Sequence, residues 1–318
     1  MKIISPILLG LSLAVVGSSL AASQQTQAPA QATQTQAPAQ ATQTQAPAQA
    51  MQMQAPPKVL QITREFIKPG KSGAIHDKSE SHFVSALTKA KWPTHYVAMN
   101  SLSGKSRALY ITGYPSFDAW EKDNAAVDKN TDLSAELDRD SLADGELLDG
   151  LDQAVLYYNE DLSYRPVSSL AQVRIMEITV FKIKPGHRKD WSDLVKLYID
   201  AMKKANTSAQ WAMYSGAYGG GEEYVVFSAD KSMADIDTGY AEDKKFRDAV
   251  GDDGMKKLDE LEQASVDSFD SELFQINPRQ SYPPEDWVKA DPDFWRPKPP
   301  MEPETGVRPL PPAKLTPR

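Results

Sequence analysis

Two stretches of this chain carry the same pattern twice, and that repetition constrains the fold more than any other feature. "FIKPGKSGAIHDKSESHF" at 66–83 and "FKIKPGHRKDWSDLVKLY" at 181–198 each read as a strand end, a Pro-Gly turn and the first turns of a helix. Aligning Ile62 with Ile178 gives an offset of 178 − 62 = 116, and aligning Tyr110 with Val225 gives 225 − 110 = 115. A repeat of this length implies two copies of one domain, not a solenoid of short units.

In the first copy "KVLQITREFIK" alternates, with Leu60, Ile62 and Phe66 on one face and Gln61, Thr63 and Glu65 on the other, as a half-buried strand does. A helix follows over about 72–91, then strands "HYVAMNSL" and "RALYITGY", then a helix capped by Ser116. The spacing next predicts a helix around 146–153, and "AVLYYNEDLSY" as the closing strand. The second copy repeats the order: "VRIMEITVFKIK", a helix over 191–205, "QWAMYSGAY", "EYVVFSAD", further helices and "SFDSELFQI".

This β-α-β-β-α-β order is the split βαβ, ferredoxin-like arrangement. With its strand–"KPG"–helix openings at 62–76 and 178–192 and its strand–"YPSF"–helix step at 110–120, the chain resembles the dimeric α+β barrel superfamily. That superfamily includes antibiotic-biosynthesis-type monooxygenases, haem-degrading enzymes and the NIPSNAP and EthD-like families. The resemblance covers roughly 58–166 and 172–281. It implies an α+β fold of two tandem ferredoxin-like domains forming an intramolecular pseudo-dimeric barrel. It also implies a small, apolar or aromatic ligand. No haem-ligand or monooxygenase residue set matches residue by residue, so no cofactor is expected.

The flanks differ in kind. Lys2, the apolar run "IISPILLGLSLAVV" and the small residues "SSLAAS" predict a signal peptide over 1–22, hence an exported, periplasmic or secreted protein. Once it is cleaved, no segment long enough to span a membrane is expected. Residues 23–57 carry a nine-residue Thr/Gln/Ala/Pro repeat without large apolar side chains, which predicts a disordered spacer, one that an envelope polymer could bind. Residues 282–318 are proline-rich, which argues against regular helix there; Trp287, Phe294 and Trp295 are expected to pin part of this tail to the domain surface. The 318 residues contain no cysteine, which excludes thiol catalysis and disulfides. A formal net charge of −8 without a Lys/Arg cluster argues against a nucleic-acid partner.

Candidate site residues come from comparing the copies. On the first helix His76, Glu80, Phe83, Leu87 and Ala90 form one stripe, and their counterparts at an offset of 115 are Trp191, Val195, Tyr198, Met202 and Ala205. Arg64, on the Leu60–Ile62–Phe66 face, corresponds to Val180. Ionisable groups facing a sheet lose hydration at large cost unless paired or used by a ligand. One reading therefore places Arg64, His76 and Glu80 in a ligand pocket, with His76 or Tyr96 nearest any chemistry. The other pairs Arg64 with Glu80 at the barrel rim and leaves His76 in solvent. A His76–Glu80–His95 metal set is a weaker candidate, since nothing places His95 beside the other two. "DRDSLADGELLD" at 138–149 departs from a calcium loop at Leu142 and Ala143 and reads better as an Asp helix cap. "YGGGEE" at 218–223 reads as a hairpin.

From these observations the expected function is small-molecule binding. The alternatives are a cofactor-independent monooxygenase-like enzyme acting on an aromatic or quinone-like substrate, and a cell-envelope interaction protein.

Overall fold

The computed structural model describes residues 56–219 and 222–297. The signal peptide, nearly all of the spacer, Gly220, Gly221 and the tail beyond 297 lie outside the described residues. The first half runs β1 (Val59–Ile67), α1 (Ala74–Ala90), β2 (Tyr96–Ser101), β3 (Arg107–Tyr114), α2 (Phe117–Lys129), α3 (Thr131–Gly145) and β4 (Leu148–Tyr158). The second runs β5 (Ile175–Ile183), α4 (Arg188–Ala205), β6 (Ala212–Tyr218), β7 (Glu223–Asp230), α5 (Met233–Ala241), α6 (Asp243–Ser265) and β8 (Val266–Ile276). Two short helices follow, α7 (Glu285–Ala290) and α8 (Pro292–Trp295).

The strands close into one antiparallel α+β barrel in the order β1-β3-β2-β8-β5-β7-β6-β4. The halves meet along two short seams. One joins β2 to β8 through Met99↔Ile276, Asn100↔Gln275 and Ser101↔Phe274; the other joins β4 to β6 from Val155↔Tyr218 to Tyr158↔Tyr214. At the second seam Gly219 (φ 75°) is needed, because a Cβ there would lie 2.4 Å from the Gln153 carbonyl oxygen.

Period-two alternation assigns the two surfaces of the barrel wall. Leu60, Ile62, Val97, Met99, Leu109, Ile111, Tyr214, Phe227 and Phe274 pack together inside. On the outside of the second half, α4 and α6 lay Trp191, Leu194, Val195, Tyr198, Leu258 and Leu261 on Phe181, Trp211 and Val226. Outside the first half, α1 packs against α3. The buried residues there are largely polar: His76 and Glu80 on α1, Asp140 and Asp144 on α3.

Several expectations are corrected. Residues 146–153 are not helical: the helix is α3, and β4 begins at Leu148. Asn130, whose side chain accepts from the Leu133 amide, caps α3, so the acidic run at 138–149 is neither a calcium loop nor an Asp cap. In the tail α7 and α8 form despite the prolines; Pro292 sits in the first turn of α8, where its missing N–H costs nothing. Trp295 is buried, and Trp287 and Phe294 pack partly against the interior cluster. The register also moves. Ile62 pairs with Ile111 and Ile178 with Phe227, so β3 and β7 are offset by 227 − 111 = 116 and Tyr110 matches Val226, not Val225.

Candidate functional site

Arg64 and Glu65 point to opposite sides of β1. Arg64 faces the barrel interior, where it pairs with Asp152 of β4. Nearby on the same inner surface Arg107 of β3 pairs with Glu272 of β8. These two ion pairs lie toward one end of the barrel. Arg64 is thus on the other side of the wall from His76 and does not pair with Glu80, contrary to both sequence-based expectations for it.

Glu65 lies beneath α1, and sequence reasoning missed it. The first turn of α1 places His76 above β1, and Glu80 follows one turn later on the same face. Asp144 enters from the last turn of α3. His76 Nε2 is 3.1 Å from Glu65 Oε2, 3.8 Å from Glu80 Oε1 and 3.7 Å from Asp144 Oδ1. One ligand atom from each of the four residues lies within 4.8 Å of all the others. The groups are out of water, at 8% exposure for Glu65, 1% for His76, 3% for Glu80 and 2% for Asp144. Glu80 Oε1 and Asp144 Oδ1 have no partner of good hydrogen-bond geometry, although the Tyr110 and Asp144 side chains lie close enough to the Glu80 carboxyl to bear on its proton.

Three carboxyl groups this close and this dry cannot all ionise without compensation. Burial, and then the charges of Glu65 and Asp144, push the Glu80 carboxyl well above the usual range. Burial first, then Glu80 and Glu65, also raises the hydroxyls of Tyr96 and Tyr110. Behind His76, Gln280 is fully buried; its Nε2 is 3.1 Å from His76 Nδ1 and donates to Asp77 Oδ1 at 2.9 Å.

Tyr96 sits at the lip between this cluster and the barrel interior. Its ring meets Tyr110 edge-on at 5.9 Å, and it also lines a cavity of about 870 Å³ at the barrel end opposite the ion pairs. Leu60, Val97, Met99, Ile111, Tyr214 and Phe227 supply the inner wall, while Trp92, His95 and Trp287 stand at the mouth. The His95 ring lies against Tyr282, tilted by 33°, with ring centroids 4.7 Å apart. Burial lowers its pKa from the ordinary histidine value. The His76–Glu80–His95 set does not assemble: the groups that join His76 and Glu80 are Glu65 and Asp144. Of the other histidines, His82 is exposed. His187, at the start of α4, bonds Asp190 Oδ2 through Nδ1 at 2.8 Å.

No family profile and no curated protein matches the sequence. Several solved structures are similar to the chain at low TM-score. A proposed monooxygenase of Lactobacillus acidophilus NCFM is 10% identical, with a TM-score of 0.43 over 69% of this chain and 94% of that one. An anthrone oxidase-like protein is 12% identical, with a TM-score of 0.43 over 71% and 94%. A chlorite dismutase variant of Candidatus Nitrospira defluvii, in complex with cyanide, is 10% identical, with a TM-score of 0.44 over 75% and 97%. The likeness assigns no activity and no residue.

Among the described residues no helix is long and apolar enough to cross a membrane.

Proposed function

We propose that the chain is a small-molecule binding barrel whose ligand is apolar or aromatic and occupies the cavity at the open end. The observation that carries this reading is the cavity of about 870 Å³, walled by Leu60, Val97, Met99, Ile111, Tyr214 and Phe227. A concave, mostly apolar space of several hundred Å³ with a few polar groups at its rim is what small ligands fill. Polar residues of its lining, among them His95, Tyr96, Lys122 and Glu285, would orient the ligand. An apolar fluorescent probe such as N-phenylnaphthylamine tests it. Saturable uptake of one probe per chain is expected, weakened at least tenfold in Ala229→Phe, which fills the cavity from β7. Absence of saturable uptake, or equal uptake by a folded Ala229→Phe variant, would refute the reading.

A second reading, an enzyme of monooxygenase type on an aromatic or quinone-like substrate, draws support from Tyr96, which lines the cavity and stands beside the buried cluster. Oxygen uptake with a panel of hydroquinones, lost in Tyr96→Phe while probe uptake persists, would favour the enzyme over the binder.

The order of elements and the matched registers support a further proposal: the halves are tandem copies of one ferredoxin-like βαββαβ unit, and the closed sheet is a pseudo-dimeric barrel within one chain. Export rests on Lys2, the apolar run and "SSLAAS", with cleavage near Ala21 or Ala22. N-terminal sequencing of the secreted protein decides it. Contact with an envelope polymer through residues 23–57 is tested by co-sedimentation with and without that segment.

A further inference from the structure

We propose that Glu65, His76, Glu80 and Asp144 form a binding site for one divalent first-row transition ion, such as Zn²⁺ or Mn²⁺. This site lies outside the barrel wall, apart from the cavity, and does not depend on the cavity's being occupied.

The first observation is geometric. A tetrahedral ion with bonds of about 2.1 Å sets its ligand atoms about 3.4 Å apart. The three edges from His76 Nε2 are 3.1, 3.8 and 3.7 Å, which bracket that value, and all four ligand atoms lie within 4.8 Å of one another, so small side-chain rotations would draw them around an ion. The second is the state of the donors. The oxygens that face His76 from Glu80 and Asp144 are the ones that lack a hydrogen bond, although both residues are more than nine-tenths buried. Acceptors held in this way lose hydration with nothing in return unless a cation or proton lies among them.

The third observation comes from the other half of the same barrel. Glu65, His76 and Glu80 occupy the places that Phe181, Trp191 and Val195 occupy under α4, at offsets of 116, 115 and 115. Tyr110 and Val226 are matched in the same way. The second half shows that this helix-on-sheet position closes with an apolar core, so the architecture does not require four ionisable groups here. Nearby, Asp140 and Asp144 are buried on α3 where α6 buries Leu258 and Leu261.

The donor set selects the ion. One imidazole with three carboxylates suits Zn²⁺, Mn²⁺ or Fe²⁺, whereas Ca²⁺ wants six to eight oxygens at longer distances. Binding requires Nε2 of His76 to be unprotonated, so Nδ1 must carry the proton and donate it. Gln280 stands at that atom, and its Oε1 is buried without a partner. Turning its amide by 180° gives Nδ1–H an acceptor and Oε1 a donor, the outer-shell arrangement that fixes a metal-binding histidine. As Gln280 Nε2 now donates to Asp77 Oδ1 at 2.9 Å, the turned amide would set two acceptor oxygens together, so ion entry also requires Asp77 to swing toward Asn277 Nδ2 and Arg279, now 2.7 and 3.7 Å away.

The test uses the full chain stripped with EDTA, with Zn²⁺ and Mn²⁺ as separate probes. Native mass spectrometry is expected to show one ion per chain, and the melting temperature to rise with Zn²⁺ or Mn²⁺ but not with Ca²⁺. Glu80→Gln and Asp144→Asn should each weaken binding at least tenfold, while His187→Ala leaves it unchanged. Without metal, Glu80→Gln should melt no lower than the wild type, since the amide replaces a buried carboxyl whose oxygen facing His76 has no partner. On the wild type alone, Co²⁺ should give the intense visible bands of a four-coordinate ion, a readout that needs no variant to fold. A wild type that retains no ion, or an ion held equally well by Glu80→Gln and Asp144→Asn, would overturn the proposal. So would a stripped Glu80→Gln protein that melts lower and a wild type indifferent to metal, since the groups would then be a proton-sharing structural network.

Discussion

The Arg64 guanidinium and the Glu65 carboxylate belong to adjacent residues and lie on opposite surfaces of the barrel wall, one against Asp152 inside and the other against His76 outside. The Arg64 and Asp152 side chains keep 32% and 48% exposure, so water already screens the pair. Arg64→Leu should therefore change stability by no more than about 1 kcal/mol. It should leave metal and probe binding as they were. Urea denaturation beside both binding assays checks this, and a loss of metal binding would place Arg64 on the wrong side of the wall.

Trp295 holds the tail against the folded body. It is 3% exposed, and its indole Nε1 donates to the Ala171 carbonyl at 2.8 Å. Trp295→Ala should cost about 3–5 kcal/mol, as large-to-small changes at well-packed aromatic sites do. Leu142→Ala, at a side chain 78% exposed, should cost almost nothing. The difference in denaturation midpoints is the measurement.

Glu262 on α6 gives a pH signature far from the cluster. Burial, and then Asp259, raise its carboxyl from 4.5 to about 7. The unfolded chain releases this proton near pH 4.5 and the folded chain only near 7, so the group destabilises the fold increasingly across that window and fully above it. Glu262→Gln should therefore stabilise the protein at about pH 8 and not at about pH 4. The residue is only partly buried, so solvent screening limits the gain to about 1 kcal/mol. Melting temperatures of the two proteins across this range should converge at the acid end.

Gly219→Ala should weaken the β4–β6 seam. The new methyl would collide with the Gln153 carbonyl oxygen, and φ is 75°. A cost of about 1–3 kcal/mol is expected, with faster amide exchange at Asn159, whose N–H donates to the Met213 carbonyl across the seam, than in β1. Uniform exchange across the sheet would argue against a local effect.

How much of the fold is legible in the sequence depends on what its patterns conceal. The β1–turn–α1 and β5–turn–α4 units are legible because Pro69-Gly70 and Pro185-Gly186 interrupt clear alternation. Helix α3 is not, because two of its three buried positions are Asp140 and Asp144, which erase the apolar period that marks a helix. The same substitution hides half of the candidate site. Glu65 reads as solvent-facing since strand alternation sets it opposite Leu60 and Ile62. Both faces of β1 are in fact covered, one by the barrel interior and one by α1. His76 and Glu80 stand out because Trp191 and Val195 supply a comparison within the chain. The Tyr110 register slips because the residue lost before β2 is regained in the β2–β3 hairpin, where Ser103–Ser106 gives no hydrophobic marker.

The seams have a consequence for dilution. A barrel assembled from two chains through contacts as short as β2–β8 and β4–β6 would come apart as its concentration fell. Here the polypeptide from β4 to β5 keeps each half at a fixed effective concentration beside the other, so closure is a unimolecular equilibrium. The cavity wall, which draws Leu60 from one half and Phe227 from the other, therefore stays whole however thinly the protein is spread.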